Sequence, residues 1–254
     1  MLSSQILCVN LFFPLRQYLD VIQSFLSSHF SNVERVIDID FEYVGPCEKD
    51  YFNEGGGRGQ NRTSSDIAII WEDKSGNKNM LLLEFKFSEP DFGECSKQGN
   101  PNRRRCQSAR RVIEAPNEDC WRAIRKRTYW DIILSNDSPF RREALTAERY
   151  CPFRYDFYQL MRNQLLAHCI ETDPQADFSR VDFGVIYHAD NEVLLKMSMP
   201  FREESNPLKA WPTLLRAPSK FHVFTIQELI STIDKELPES LFSWRGYLNQ
   251  KYDL

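Results

Sequence analysis

The stretch SSDIAIIWEDKSGNKNMLLLEFKFSE, residues 64–89, decides how the chain is read. Two apolar runs flank DKSGN, whose Asp, Ser, Gly and Asn are strong turn formers, so the stretch predicts a β-hairpin. Side chains alternate along a strand, which puts Asp66, Ala68 and Ile70 on one face of the first strand. In the second, Leu82, Glu84 and Lys86 share one face, and Leu83, Phe85 and Phe87 the other. With the turn centred near Ser75, paired residue numbers sum to about 150, and Asp66 falls opposite Glu84.

Directly opposed residues of an antiparallel pair have Cβ atoms roughly 4.5–5.5 Å apart, and like charges so placed destabilise a hairpin. A divalent cation between the carboxylates would remove the conflict, because hard ions such as Mg²⁺ take oxygen ligands and keep several waters. Lys86, one pleat further on, would then lie beside a metal-bound water. A second Glu-x-Lys, Glu72-Asp73-Lys74, lies in the turn only six residues after Asp66 and fails this geometry.

Outward from the hairpin, residues 15–30 carry Leu15, Tyr18, Leu19, Ile22, Phe25 and Leu26 at helical spacing. Residues 33–44 alternate, with Ile37, Ile39, Phe41 and Tyr43 on one face of a strand and Asp38, Asp40 and Glu42 on the other. A glycine-rich loop then leads into the hairpin. Helices are predicted near 103–115, over 119–134 and over 154–170, the last with Phe157, Leu160, Met161 and Leu165 as its apolar stripe. Strands are predicted over 181–189, 192–198 and 221–224, and Thr225 to Glu228 has the spacing of a capping box.

The 254 residues, 42% hydrophobic and 27% charged, have ordinary globular composition. The seven cysteines, an odd number without a secretion signal, point to a reducing compartment and away from a disulfide framework. No run approaches the ~18 apolar residues of a membrane span, and the start lacks a cationic leader pattern. The expectation is a soluble, cytoplasmic protein without membrane contact. Net charge is −4, but residues 97–127 hold ten Lys/Arg against three acids. Such a segment suits phosphates, and a solvated basic helix face accounts for the charge equally well.

Asp66 followed by Glu84-Phe85-Lys86, each on a strand of a hairpin that follows a helix and a strand, resembles the PD-(D/E)XK nuclease superfamily. The residue before Asp66 is Ser65 where that motif has proline. The resemblance covers roughly residues 15–90 and, more loosely, 154–230. It implies a restriction-endonuclease-like α/β core, a central mixed β-sheet flanked by helices, in a single domain over 1–254 with a helical insertion at about 90–150. It implies that Asp66, Glu84 and the Phe85 backbone carbonyl ligate Mg²⁺ (or Mn²⁺), while Lys86 positions the attacking water. The superfamily often adds a helix glutamine, for which Gln159 is the candidate. It often adds a further acid, for which Asp20, Glu42 and Glu54 are the options; Glu54 lies beside the glycine-rich loop.

Other candidates are secondary. Arg58 in the glycine-rich loop, Arg103, Arg104 and Arg105, and Arg125, Lys126 and Arg127 could meet a nucleic-acid backbone. Cys95, Cys106, Cys120 and Cys151 could hold Zn²⁺ or an iron–sulfur cluster, although their spacing contains no C-x₂-C knuckle, and buried free cysteines are common. The four histidines form no ligand spacing. The expected function is metal-dependent phosphodiester hydrolysis, with DNA as the substrate and endonucleolytic action, two copies of the chain being needed to cut both strands. The alternative is a catalytically inactive nuclease-fold module that binds nucleic acid or protein.

Overall fold

A computed structural model describes residues 3–56, 62–95, 106, 108–197 and 201–254. The chain opens with helices α1 (Ser4–Leu15) and α2 (Leu19–His29), then strand β1 (Val33–Tyr43). The hairpin follows as β2 (Ser65–Asp73) and β3 (Lys78–Lys86). Five short helices come next: α3 (Ala109–Glu114), α4 (Pro116–Asp119), α5 (Trp121–Ile124), α6 (Tyr129–Ile133) and α7 (Arg142–Thr146). The long helix α8 (Tyr158–Thr172), strand β4 (Arg180–Tyr187), short helix α9 (Pro207–Ala210), strand β5 (Phe221–Thr225), α10 (Ile226–Ile233) and α11 (Phe242–Tyr252) complete it.

The strands form one sheet in the order β1-β2-β3-β4-β5. The first three pair antiparallel, and β4 and β5 run parallel to β3. The α/β class and the central mixed sheet flanked by helices are as expected. Alternation along the hairpin divides two cores. Ala68, Met80 and Leu82 pack with α8 and the short helices, whereas Ile67, Ile69, Trp71, Leu81, Leu83 and Phe85 pack with α1, α2, α10 and α11. Both faces of β2 and β3 are therefore covered, which is why their central stretches, residues 67–71 and 80–83, are apolar throughout. No helix among the described residues is long and apolar enough to cross a membrane.

Several sequence expectations need correction. The stripe over 15–30 belongs to two helices, because the chain breaks after Leu15 and α2 begins at Leu19. The preceding α1 was not anticipated, yet it buries Leu7, Leu11, Phe12 and Leu15 completely. In β1 a register shift between Val36 and Asp38 interrupts the alternation, turning Ile37 outward while Val36 and Ile39 are buried. The helix expected over 119–134 is broken: Lys126 adopts a left-handed backbone (φ 62°) between α5 and α6. Residues 51–53 stabilise the break, Asn53 Nδ2 donating to the Lys126 carbonyl at 2.8 Å and Thr128 Oγ1 to the Tyr51 carbonyl at 2.9 Å. Residues 192–198 were expected as a strand, but 192–196 form turns, since both edges of β4 are already occupied by β3 and β5. The capping interaction does form, with Thr225 Oγ1 accepting from the Glu228 amide at 3.1 Å.

Candidate active site

The hairpin register brings the acidic residues together. Observed pairs include Ile67 with Leu83 and Ala68 with Leu82, the spacing that sets Asp66 against Glu84 at the open end of the ladder. Ser65 holds that end closed, its hydroxyl donating to the carbonyls of Leu83 (2.9 Å) and Ile67 (3.1 Å). Asp66 Oδ2 accepts the Phe85 amide at 2.7 Å, so its carboxylate lies against the backbone between Glu84 and Lys86. From the other side, α1 secures the end of β3, because Ser4 Oγ accepts the Phe87 amide at 2.8 Å and donates to Glu89.

Glu84 and Lys86 are only 3% and 6% exposed, and α8 satisfies both. Glu84 Oε1 accepts from Gln159 Nε2 at 2.6 Å and lies 3.1 Å from Lys86 Nζ. Glu84 Oε2 accepts from Asn163 Nδ2 at 2.7 Å. Lys86 Nζ in turn donates to Gln159 Oε1 at 2.7 Å and sits 5.6 Å from the centre of the Phe92 ring. The Gln159 amide thus bridges the cation and the anion, and Gln159 and Asn163, four apart, present one helical face to the strand. Asn163 is 1% exposed, although it lies off the apolar stripe of Phe157, Leu160, Met161 and Leu165.

The electrostatics are unbalanced around Asp66. Burial and the neighbouring Glu84 carboxylate push its carboxyl well above the ordinary range, with Glu42 adding to the effect. The Phe85 amide and the Lys86 ammonium pull the other way without cancelling it. Burial alone would lower Lys86, but Glu84, then Asp66 and Glu89, reverse the sign and keep it protonated. Two carboxylates and one ammonium share this end of the sheet. The donor set fits a further cation: paired acidic oxygens in a pocket that discourages their simultaneous ionisation without one.

The other expected residues lie elsewhere. Glu54 is 9% exposed and bound in a separate cluster, accepting from the Thr63 amide (2.5 Å), Thr63 Oγ1 (3.0 Å) and the Tyr129 hydroxyl, with Arg162 Nη2 at 3.2 Å. Glu42 adds, after Glu84, to the acids that raise the Asp66 carboxyl. Arg125 is exposed and stacks on Trp121 at 4.6 Å, Lys126 is exposed, and Arg127 donates to the Asn53 carbonyl. Arg58, Arg103, Arg104 and Arg105 lie outside the described residues. Of the four cysteines of the basic segment and its borders, Cys120 and Cys151 are buried in the core beside α8, and Cys95 and Cys106 are partly buried against it. Among the described residues, no group of three or more His, Cys, Asp or Glu could hold a metal ion.

No curated protein and no solved structure matches the chain. A family model described as "Restriction Endonuclease associating with ARP" matches residues 1–253, nearly the whole chain. The five-stranded mixed sheet flanked by helices is compatible with a restriction-endonuclease-like core. The chain belongs to the REase-ARP family, restriction endonucleases associating with ARP.

Proposed function

We propose that the chain is a Mg²⁺-dependent nuclease that hydrolyses phosphodiester bonds of DNA, with Asp66, Glu84 and Lys86 as its catalytic residues. Membership of a restriction-endonuclease family points to nuclease chemistry and nucleic-acid binding. The observation that carries the reading is the buried Glu84–Lys86 pair facing Asp66 and clamped by Gln159 and Asn163 of α8.

Asp66, Glu84 and the Phe85 carbonyl would hold the metal. In an extended strand a residue's N–H and C=O point to the same edge. The Phe85 amide that reaches Asp66 therefore implies a Phe85 carbonyl on the Asp66 side. When bound, the ion supplies Lewis-acid activation of the phosphate and lowers the pKa of a water that becomes the nucleophile. The residues of the chain do the rest. Glu84 is fixed by three donors and cannot swing away from Asp66. Lys86, kept protonated by its neighbours, orients the attacking water and stabilises charge on the phosphate oxygens. Gln159 holds the ammonium and the carboxylate at a fixed separation. Arg125 and Lys126, exposed beside Trp121, suit the backbone of the same DNA.

The test is cleavage of supercoiled plasmid and of single-stranded DNA with Mg²⁺ or Mn²⁺, for wild type, Asp66→Asn and Lys86→Ala. Metal-dependent nicking, lost in both folded variants, is the expected result. DNA binding without cleavage across metals and diverse sequences would instead identify a non-catalytic nuclease-fold module.

A further inference from the structure

A cavity of about 240 Å³ that the proposed chemistry does not use opens just ahead of α8. Tyr150, Tyr155 and Phe157 line it from the segment that leads into α8, and Met197 and Phe201 from the stretch between β4 and α9. Its inner rings are fixed: Phe157 is 2% exposed and packs edge-on against Phe201 and Trp211, with ring centres 5.2 and 5.4 Å away. Its outer rings are half-buried and bordered by cations. Arg149 lies over the Tyr150 ring at 5.1 Å and Arg154 over Tyr155 at 5.2 Å. Arg202 lies over Phe201 at 5.1 Å, and Glu148, which also lines the cavity, holds it at 2.7 Å.

These walls define the ligand. Flat aromatic surfaces with a few polar groups select a planar molecule with hydrogen-bonding edges. Aromatic side chains beside cations are how proteins hold single-stranded nucleic acid, the base stacking on a ring while its phosphate meets a positive charge. Asp156, also in the lining, is an acceptor of the kind that takes the amino group of a base. An aliphatic ligand would gain nothing from the arginine border.

Position narrows the choice to the substrate itself. Phe157 is the N-cap of α8, and Gln159, two residues on, touches both Glu84 and Lys86. Consecutive Cα atoms are about 3.8 Å apart, so the Cα atoms of Phe157 and Gln159 are separated by at most about 7.6 Å. The Gln159 amide donates to the Phe92 carbonyl at 3.1 Å, and the Phe92 ring lies 5.6 Å from Lys86 Nζ, which ties this junction to the candidate active site. Stacked nucleotides advance about 3.4 Å each along a strand. A strand with its phosphate beside Asp66 and Lys86 therefore brings a base to the cavity within a few nucleotides.

We propose that this cavity binds one unpaired nucleobase of the DNA, stacked among Tyr150, Tyr155 and Phe157, a few nucleotides from the scissile phosphate. The inference rests on the DNA-binding part of the proposed function and names its substrate class, DNA that carries an unpaired base. Taking a base out of a matched duplex costs its pairing and stacking, whereas a bulged or single-stranded base has already lost them. Every base has a π-face, so the cavity selects DNA by structure more than by sequence.

Equilibrium binding by fluorescence anisotropy tests this in EDTA, where metal-dependent cleavage cannot proceed. Three DNAs are compared: a matched duplex, the same duplex with one bulged adenine, and the same bulge with its base removed. Wild type and Tyr155→Phe should prefer the bulge that keeps its base. Tyr155→Ala should lose that preference, binding the bulged adenine roughly 5–150-fold more weakly while the matched duplex changes little. Equal wild-type affinity for the bulge with and without its base overturns the proposal. So does an equal loss on matched and bulged DNA in Tyr155→Ala, which would make the tyrosine a backbone contact. If that variant does not fold, wild type photocrosslinked to a bulged 5-iodouracil decides the matter: adducts at Tyr150 or Tyr155 support the proposal, and adducts only outside the cavity overturn it. Neither readout uses cleavage. A protein that cuts DNA without the base preference defeats this inference alone, and one with the preference that cuts nothing defeats the nuclease reading alone.

Discussion

Helix α8 serves two buried carboxylates with contrasting surroundings. Glu84 is reached by Gln159 and Asn163, and Glu54 by Arg162. Around Glu54 the polar groups close on themselves: a backbone amide, two hydroxyls and a guanidinium meet one carboxylate, and the basic charge equals the acidic one. Around Glu84 there is one ammonium for two facing carboxylates, and Asp66 is pushed up by its burial and then by the Glu84 charge. The first arrangement ties Glu54 to Thr63 ahead of β2; the second is suited to binding a cation. Burial alone does not separate a structural acid from a functional one, but the charge balance around it does.

Chemistry should divide the two clusters most sharply. Lys86→Ala should lower metal-dependent cleavage by about 10²–10⁴-fold, the usual contribution of a positioned proton-transfer or charge-stabilising group. Glu54→Gln should change cleavage little, because its contacts are with Thr63, Tyr129 and Arg162. Single-turnover cleavage of a common substrate by both variants checks this. A Glu54→Gln enzyme as inactive as Lys86→Ala would dissolve the distinction.

Stability should divide them the other way. Arg162→Ala leaves the Glu54 carboxylate, whose side chain is only 5% exposed, without its cation. Breaking such a buried pair costs about 3–5 kcal/mol, which denaturant unfolding would register directly. A loss below ~1 kcal/mol would show that the hydroxyls alone satisfy Glu54.

Much of the Glu84 cluster was legible in sequence, and almost none of the Glu54 cluster. The DKSGN turn and strict alternation set the Asp66–Glu84 register locally, over fewer than twenty residues. Gln159 was identified through the resemblance of the Glu-x-Lys strand and its following helix to a known superfamily, and it does touch both Glu84 and Lys86. Glu54, by contrast, meets partners 75 and 108 residues away, and no local pattern announces such contacts. Asn163 escaped because helical periodicity sorts residues by polarity, and a buried asparagine opposite a carboxylate looks like a surface one. Helix α1 escaped because it is apolar nearly all round, leaving no stripe to detect.

Asn163 gives a sharper probe of how Glu84 is held. Its amide donates to the oxygen that Lys86 and Gln159 leave free. Asn163→Ala should lower Mg²⁺ affinity about 10–100-fold, as loss of an outer partner of a metal ligand generally does. Titration calorimetry with Mg²⁺ measures it. Unchanged affinity would mean that Gln159 alone orients the carboxylate.

The smallest expected effect tests the charge imbalance itself. Asp66 has a folded-state pKa above its ordinary value, so the folded chain binds more protons than the unfolded one between the two values. Metal-free stability is therefore undiminished below the ordinary carboxylate range, near 3.9. It falls as pH rises from there through the raised value. Asp66→Asn removes the ionisation while keeping an oxygen to accept the Phe85 amide. Without metal, the variant should be more stable than wild type by about 1–2 kcal/mol near neutral pH, with the gap closing in acid. Saturating Mg²⁺ should invert the order, because an ion that binds only the folded wild type stabilises it by mass action. Thermal unfolding of both proteins across pH, with and without Mg²⁺, measures each arm. A gap that does not vary with pH would remove the unbalanced charge at Asp66, and with it the feature that separates the Glu84 cluster from the closed one around Glu54.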